Sequence, residues 1–211
     1  MYLGRIVAAG MTSNGKPFAA YRVSSRSFPN RTACLNNGQI SIIPRPGCEG
    51  DLAKNPYIAY NCVRLSGSIA LATNGSQTDP IIEKIQSGMP VRDAFTLSLL
   101  AMDYEKDHLN TPRIAAAVDA ETGILTLGIV RKDAVLVRQF DAVPGVIRFI
   151  STYEKNRPAD ENNACIPVTD DSQAICSFVI RGGIFETFEH PVTAAAALWN
   201  GSEFQLAVQD A

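Results

Sequence analysis

This chain of 211 residues lacks the paired cysteines of secreted proteins and the cysteine and histidine motifs of zinc-binding proteins. Its five cysteines are odd in number and no two stand in a CxxC spacing. This pattern argues against a disulfide framework and a zinc knuckle, and it predicts reduced thiols in a cytoplasm. The two histidines, His108 and His190, lie far apart and outside any HExxH pattern. We therefore expect no zinc site, but this pattern does not exclude a magnesium ion bound by carboxylates.

Long apolar runs and an excess of basic residues are missing as well. No stretch reaches the roughly 18 apolar residues that a membrane span requires, and Met1–Arg5 does not begin a signal peptide. The net charge of −2 lacks the basic excess of a duplex nucleic-acid binder. We expect neither a membrane nor a nucleic-acid polymer as partner. An anionic partner should be small and bound by a local cluster of cations.

The pattern of apolar and turn residues predicts one α+β domain over residues 1–211. Hydrophobic residues make up 46% of the chain, which suits a single buried core. Strands are predicted first, then two helices, then more strands, a helix and a final hairpin. Two antiparallel sheets with helices outside are the economical arrangement for this order. The predicted strands and helices are Leu3–Ala9, Pro17–Ser24, Gln39–Ile43, Tyr57–Leu65, Ser68–Thr73, a helix from Asp79 to Gly88, a helix from Pro90 to Tyr104 or Glu105, Arg113–Asp119, Leu125–Val130, Val135–Phe140, Val146–Ser151, a helix capped by Asp170, Val192–Leu198 and Glu203–Val208.

The second predicted helix is apolar around most of its circumference. It carries Phe95, Leu97, Leu99, Leu100 and Met102, whereas a surface helix needs only one apolar stripe. One face should cover a sheet. The other face is buried either against another subunit or within the same chain, and the pattern alone leaves both possibilities open.

Arginine and serine are concentrated in the segment Tyr21–Thr32, which holds three arginines and four hydroxyl residues. Arg22, Ser24 and Arg26 share one side of an extended strand by the period of two. Guanidinium and hydroxyl groups suit the oxygens of a phosphate monoester. The segment predicts an anion site, and a solvated strand edge is the alternative.

Polar residues also stand out in two segments that precede the long helix. Tyr60 and Asn61 point to opposite faces of a predicted strand, where Tyr60 offers a phenol and Asn61 an amide. A buried tyrosine with a satisfied hydroxyl is the common alternative. Asn74 lies in a small polar loop just before a helix N-terminus, where free backbone amides attract anions. A plain turn with a helix cap explains that loop nearly as well.

The segment Met102–Arg113 is charged and leads from the apolar helix into a strand. Neighbouring helical residues diverge by about 100°, so Tyr104, Glu105 and Lys106 can face one pocket only if the helix frays there. The segment is either a solvated helix end or part of a site. No GxGxxG, GxxxxGK[ST] or GxSxG motif occurs, and a Cys62–His108 pair has no local support as a nucleophile.

Several long segments resemble the archaeal inosine monophosphate cyclohydrolase family. They are AYRVSSRSFPNRT, NPYIAYNC, SLLAMDYEKD, LNTPRIAAA, ISTYE and HPVTAAAA. The likeness covers nearly the whole chain in order and is weakest in the ranges 38–51 and 154–171. It implies a four-layer α-β-β-α sandwich similar to the amino-terminal-nucleophile (Ntn) hydrolases, and a homo-oligomer.

The resemblance also implies the reaction. It is the ring closure of 5-formamidoimidazole-4-carboxamide ribonucleotide to inosine monophosphate (IMP) plus water, and we expect it to need no metal and no organic cofactor. Enzymes of the Ntn architecture use an N-terminal Cys, Ser or Thr as nucleophile, whereas this chain starts Met1-Tyr2. The alternatives from other classes are an Ntn-type amide hydrolase and a non-catalytic purine mononucleotide-binding protein.

Roles for individual residues follow from chemistry within the matching segments. We predict that Arg22, Arg26 and Arg31 bind the phosphate and ribose of the substrate. Ser24 and Asn30 are predicted to assist them. The candidates for proton transfer are Tyr60 and Tyr104, with Glu105 as the alternative base. Lys106 or Arg113 is predicted to stabilise the oxyanion. Asn61 and Asn74 are predicted to contact the imidazole-carboxamide.

Overall fold

Two antiparallel β-sheets are stacked face to face in a computed structural model that describes all residues, 1–211. The first sheet has six strands in the order β11-β10-β1-β2-β12-β13. They are β1 (Ile6–Met11), β2 (Pro17–Ser24), β10 (Val146–Ser151), β11 (Asn163–Cys165), β12 (Pro191–Trp199) and β13 (Phe204–Asp210). The second sheet has seven strands in chain order. They are β3 (Arg31–Asn36), β4 (Gln39–Pro44), β5 (Tyr60–Ser66), β6 (Ile69–Thr73), β7 (Arg113–Asp119), β8 (Ile124–Arg131) and β9 (Ala134–Asp141).

Helices cover the outer face of each sheet and complete four layers. The second sheet packs against α2 (Thr78–Gln86) and α3 (Val91–Met102), and the first packs against α4 (Ser172–Arg181). A short helix α1 (Asp51–Lys54) and two 3-10 helices, Pro56–Ile58 and Gly183–Thr187, complete the elements. The predicted α+β fold with two antiparallel sheets is confirmed. None of the helices has the length and apolar character that a membrane crossing requires.

Strand β2 is buried on both of its faces, and this decides what its side chains can do. It lies between β1 and β12 in the middle of the first sheet. Successive side chains of a strand point to opposite faces. Tyr21 and Val23 therefore join the core between the sheets, while Ala20 faces α4. Arg22 points to the same side as Ala20.

Arg22 is a structural cation, which contradicts the predicted role in anion binding. Its guanidinium group is fully buried and donates to the carbonyl oxygens of Val179, Ile180, Phe185 and Phe188 and to Ser24 Oγ. These carbonyls lie where α4 ends and the following 3-10 helix ends. Burial lowers the pKa of Arg22 to about 10, so the group is charged at neutral pH, and each of its three nitrogens donates to an acceptor inside the protein.

Most predicted elements are found within a few residues of their predicted ends. Strand β3 was not predicted, because its first residues, from Arg31, belong to the polar segment that was interpreted as an anion site. The cap of α4 was assigned one residue too early, since Asp171 and not Asp170 accepts the Gln173 backbone N–H. Helix α2 begins at Thr78, so Asp79 lies in its first turn and not at its cap.

Helix α3 buries one face against the second sheet through Phe95 and Leu99. On the opposite face Leu97 is 48% exposed and Leu100 is 62% exposed. The helix is therefore not buried within the chain on all sides, which removes one of the two alternatives for its second face.

Replacing Arg22 with Met should destabilise the fold without abolishing ligand binding in the protein that remains folded. Hydrogen bonds to a charged group contribute about 1.5–3 kcal/mol each, and the four carbonyls would lose their donor. We expect at least about 3 kcal/mol lower free energy of unfolding in urea. The control is Arg157→Met, an exposed arginine paired only with Glu161. If the Arg22→Met protein is as stable as wild type but no longer binds the ligand, Arg22 has the anion-binding role predicted from the sequence.

Candidate active site

A cleft of about 320 Å³ opens where the ends of the two sheets meet. Its residues come from the chain before β1, the loop after β2, the start of β3, the turn before β5, the loop between α3 and β7, and the chain after β10. Arg5 and Arg31 form its inner end, and Ser25, Arg26 and Ser27 form its outer end. The side chain of Arg5 is 12% exposed and that of Arg26 is 57% exposed, while Arg31 is 2% exposed. Cations thus line the cleft over its whole depth.

Gly4 brings Arg5 to the inner end of the cleft. Its φ is +73°, a left-handed conformation that glycine adopts readily. A Cβ atom at this position would lie 2.1 Å from Thr152 Oγ1 and 2.7 Å from the ring of Tyr153. The chain before β1 can therefore lie flat against Tyr153. Sequence reasoning missed Arg5, because it stands alone inside the predicted strand Leu3–Ala9 with no polar neighbours.

Two phenol hydroxyls meet beside the inner end of the cleft. Tyr60 Oη lies 2.7 Å from Tyr21 Oη, and the two rings pack edge to face with centroids 6.3 Å apart. Burial raises the pKa of Tyr60, and the nearby guanidinium groups of Arg31 and Arg5 oppose that rise. Tyr60 is therefore a neutral phenol close to two cations. Tyr21 was not among the predicted site residues.

The guanidinium group of Arg31 has a donor that no protein atom accepts. Its Nε donates to the Phe28 carbonyl at 3.0 Å, but the buried Nη1 has no hydrogen-bond partner. Leaving a buried polar group unpaired costs about 1–3 kcal/mol. Because Arg31 lines the cleft, this nitrogen is suited to donate to an oxygen of a bound ligand.

Glu105 lies behind Arg5 and is withdrawn from the cleft. It is 1% exposed and does not line the cavity. Its Oε2 accepts from Arg5 at 3.0 Å, and its Oε1 lies 3.8 Å from Arg113 Nη1. Burial raises the pKa of Glu105, and the two guanidinium groups oppose that rise. We infer an ionised carboxylate, because a neutral one would leave two buried cations facing each other.

Glu105 is therefore placed to hold Arg5 in position, and it is poorly placed to take a proton from a ligand. The same pairing raises the pKa of Arg5 above its ordinary value, although burial opposes the rise. Arg5 is therefore charged at neutral pH.

The polar loop before α2 supports Arg113. Gln77 Oε1 accepts from Arg113 Nη1 at 3.1 Å, while its Nε2 donates to Asn74 Oδ1 and to the Ile114 carbonyl. Asn74 donates to the Pro112 carbonyl and accepts the Ile114 backbone N–H. Asn74 is thus fully buried and both atoms of its amide are hydrogen-bonded within the protein, so the structure places it as a structural amide away from the cleft. A Cβ atom on Gly75 would lie 2.8 Å from Arg113 Nη1, so this loop has to pass close to the guanidinium group.

A strained residue ends α3 and directs Glu105 inward. Asp103 has φ +55° and ψ −179°, a region that is almost exclusive to glycine and costs about 1–3 kcal/mol. Its carbonyl accepts from Arg113 Nε at 3.0 Å, and its carboxylate accepts the backbone N–H of Tyr104. Lys106 pairs with Asp103, and its Nζ lies 3.7 Å from the centre of the Tyr104 ring.

The structure separates the predicted site residues into three groups. Those lining the cleft are Ser24, Arg26 and Arg31. Those behind or beside its inner end are Tyr60, Glu105 and Arg113. Those placed elsewhere are Arg22, Asn30, Asn61, Asn74, Tyr104 and Lys106.

The residues placed elsewhere have identifiable local reasons. Asn61 points to the outer face of its sheet, where its amide accepts from Ser41 and donates to Asp79. Asn30 is exposed, and Lys106 extends into solvent beside Tyr104 because the chain turns at Asp103. Apart from Arg5 and Tyr21, sequence reasoning also gave no role to the cleft residues Tyr2, Asp107 and Tyr153, and it gave His108 no role at a cleft. Thr111, which it placed in a segment that resembles the wall of a site, does line the cleft.

A cysteine nucleophile finds no support in the structure. Cys62 is fully buried in the core between the sheets, and burial raises the pKa of its thiol. A buried neutral thiol is a poor nucleophile. No three His, Cys, Asp or Glu side chains converge in a geometry that could hold a metal ion.

Comparison with known proteins identifies close relatives over nearly the full length. A family model described as IMP cyclohydrolase-like protein matches residues 2–203. The IMP cyclohydrolase of Methanosphaera stadtmanae is 45% identical over 206 residues, which cover 98% of this chain and 98% of that protein. The IMP cyclohydrolase of Methanocella arvoryzae is 47% identical over 209 residues, with coverage of 99% and 98%. The IMP cyclohydrolase of Halobacterium salinarum is 42% identical over 201 residues, with coverage of 95% and 93%.

Replacing Glu105 with Gln should destabilise the protein at neutral pH. The change removes the only carboxylate between Arg5 and Arg113, and uncompensated buried charge costs about 3–5 kcal/mol. Urea unfolding at pH 7 measures the effect. The matched control is Glu161→Gln, which removes a carboxylate from an exposed pair and should cost at most about 1 kcal/mol. Equal stability of the two variants would show that Glu105 does not hold the two cations.

Proposed function

The chain belongs to the IMP cyclohydrolase family, and we propose that it closes the second ring of IMP in the cleft between the sheet ends. The substrate is 5-formamidoimidazole-4-carboxamide ribonucleotide and the second product is water. The observation that carries this location is the convergence of Arg5 and Arg31 at the inner end of a cleft of mononucleotide size, with the Tyr60 phenol close to both cations behind that end. Ligand sites typically have volumes from about 300 Å³ upward.

Ring closure is chiefly a problem of orientation and proton transfer. The substrate carries both the nucleophile, a carboxamide nitrogen, and the electrophile, a formyl carbon. Holding the two in contact can contribute up to about 7–11 kcal/mol. The nitrogen must then lose a proton, and the former formyl oxygen must gain protons and leave as water. The cleft needs one end that grips the nucleotide and another that handles developing charge on oxygen.

The outer end of the cleft is proposed to hold the phosphate. Arg26 and the hydroxyls of Ser25 and Ser27 offer donors there, and the guanidinium group of Arg26 is fixed 4.1 Å above the centre of the Tyr2 ring. Arg26 also reaches Glu189 at 3.3 Å. A phosphate bound there would project the ribose and imidazole toward Arg5 and Arg31.

The inner end of the cleft is proposed to handle the reacting groups. The free Nη1 donor of Arg31 and the guanidinium group of Arg5 would stabilise negative charge on the formyl oxygen, an effect of roughly 10²- to 10³-fold for one donor. Tyr60 would protonate the departing hydroxyl. Its raised pKa keeps it in the acid form at neutral pH, so it is suited to act as an acid and not as a base.

Three further properties remain predictions. The similarity to Ntn hydrolases agrees with the four layers, and a homo-oligomer agrees with the exposed Leu97 and Leu100 on α3. A cytoplasmic location agrees with five free cysteines. The mechanism above forms no acyl-enzyme and therefore uses no nucleophile from the protein.

Absorbance measurements on the purified protein test the function directly. Addition of the formamido nucleotide in the presence of a chelator and without ATP should give IMP. Absence of turnover with retained IMP binding would favour the non-catalytic nucleotide-binding alternative. Release of an amine or ammonia from amide substrates would favour the amide hydrolase.

Tyr60→Phe should lower kcat by roughly 10²- to 10⁴-fold, the usual contribution of one proton transfer. The substitution keeps the ring in the core and removes only the hydroxyl. Tyr104→Phe is the matched control, since the structure places that hydroxyl outside the cleft, and it should behave as wild type. A fully active Tyr60→Phe protein would exclude Tyr60 as the acid.

Arg26→Ala should weaken binding of IMP roughly tenfold while leaving binding of inosine unchanged. A hydrogen bond to a charged group contributes at least about 1.5 kcal/mol, which corresponds to a factor of ten in Kd. Calorimetric titration with both ligands separates the phosphate contribution from the rest. Equal weakening of both ligands would place the phosphate elsewhere, and Arg157→Ala controls for the loss of a surface charge.

A further inference from the structure

Tyr21 carries a buried hydroxyl for which the proposed reaction has no use so far. The residue lies in the middle of β2, paired with Val7 on one side and Ala195 on the other. It is 1% exposed and belongs to the core between the sheets. The only hydrogen-bond partner of its hydroxyl is Tyr60 Oη at 2.7 Å. An apolar phenylalanine would fill the same space, so the hydroxyl calls for an explanation.

The direction of this hydrogen bond follows from what surrounds each hydroxyl. Tyr21 has no other acceptor within reach, so its proton is satisfied only if it donates to Tyr60. An unsatisfied buried donor is costly. Tyr60 lies beside Arg5 and Arg31, which line the cleft, and its own proton can be donated to a ligand there. The favoured arrangement is therefore Tyr21 O–H to Tyr60 O, with the Tyr60 proton directed away from the core.

We propose that Tyr21 is a positioning residue, which orients the Tyr60 hydroxyl as a proton donor and stabilises the Tyr60 phenolate formed when that proton is transferred. This inference rests on the proposed function of the cleft. During the reaction the Tyr60 O–H bond breaks and the proton joins the departing hydroxyl, which leaves as water. Ring closure releases one proton from the carboxamide nitrogen, and formation of the ring C=N bond releases one from the formamido nitrogen. One of these protons converts the former formyl oxygen to the hydroxyl and the other restores the phenol, so both protons of the water are accounted for and no further reactant is needed.

The cations and Tyr21 act on Tyr60 in the same direction. Donation from Tyr21 lowers the pKa of Tyr60, as do Arg31 and Arg5, although burial keeps the pKa above its ordinary value. Removal of the Tyr21 hydroxyl would raise the pKa of Tyr60 further and make it a weaker acid. Binding of the substrate would not change, because Tyr21 does not line the cleft.

Tyr21→Phe should lower kcat about 10- to 100-fold, the range for one hydrogen bond to a charged group, while KM stays within about twofold of the wild-type value. Ser98→Ala is the matched control. It removes another buried hydroxyl, which has no hydrogen-bond partner and lies in α3 away from the cleft, and its kinetics should equal those of wild type.

The double variant Tyr21→Phe/Tyr60→Phe distinguishes positioning from a general structural effect. If Tyr21 acts through Tyr60, the double variant has the kcat of Tyr60→Phe alone, since the two losses are not additive. Additive losses, or wild-type kcat in Tyr21→Phe, would overturn the role of Tyr21. Wild-type kcat in Tyr60→Phe would instead overturn the proposed function of the phenol, whatever Tyr21→Phe shows.

A second replacement covers the case in which Tyr21→Phe does not fold. Fluorotyrosine at position 21 keeps the ring and the hydroxyl but makes the hydroxyl a stronger donor. Its donation should make Tyr60 a stronger acid and raise kcat without changing KM. An unchanged kcat in this folded protein would contradict the proposal.

Discussion

The candidate site depends on guanidinium groups that are held almost out of solvent where two sheets meet. Arg31 is 2% exposed and Arg113 is 5% exposed, and Arg5 is paired with a carboxylate that is itself buried. Charges in such surroundings interact more strongly than they do in water, but each one costs free energy to bury. Glu105 compensates Arg5 and Arg113. Arg31 has a buried Nη1 that no protein atom accepts from, and Arg31 itself lines the cleft.

The fold makes this arrangement possible by dividing the residues of one strand between two layers. On β2, Tyr21 faces the core between the sheets and supports Tyr60, while Arg22 faces α4 and binds its terminal carbonyls. The strand ends at Ser24, so Arg26 lies in the loop that follows and lines the outer end of the cleft. Two conformations that ordinary residues rarely adopt, at Gly4 and Asp103, direct Arg5 and Glu105 toward each other.

Local pattern predicted the layers well, because strand alternation and turn residues are short-range signals. It could not distinguish a structural polar residue from one that binds a ligand. Arg22 and Arg26 look alike in sequence, yet one binds backbone carbonyls and the other lines the cleft. Asn74 has the composition of a ligand contact, but its amide joins two parts of the backbone. Arg5 gave no signal, since its partner Glu105 is 100 residues away along the chain. The resemblance of long segments to a known family supplied the reaction, which spacing alone did not.

A crystal structure of the protein with bound IMP tests the central claim most directly. The account predicts the phosphate beside Arg26 and the serines of the outer end, and the purine ring against Arg5, Arg31 and the Tyr60 hydroxyl. Phosphate at the inner end, or IMP bound outside the cleft, would contradict it.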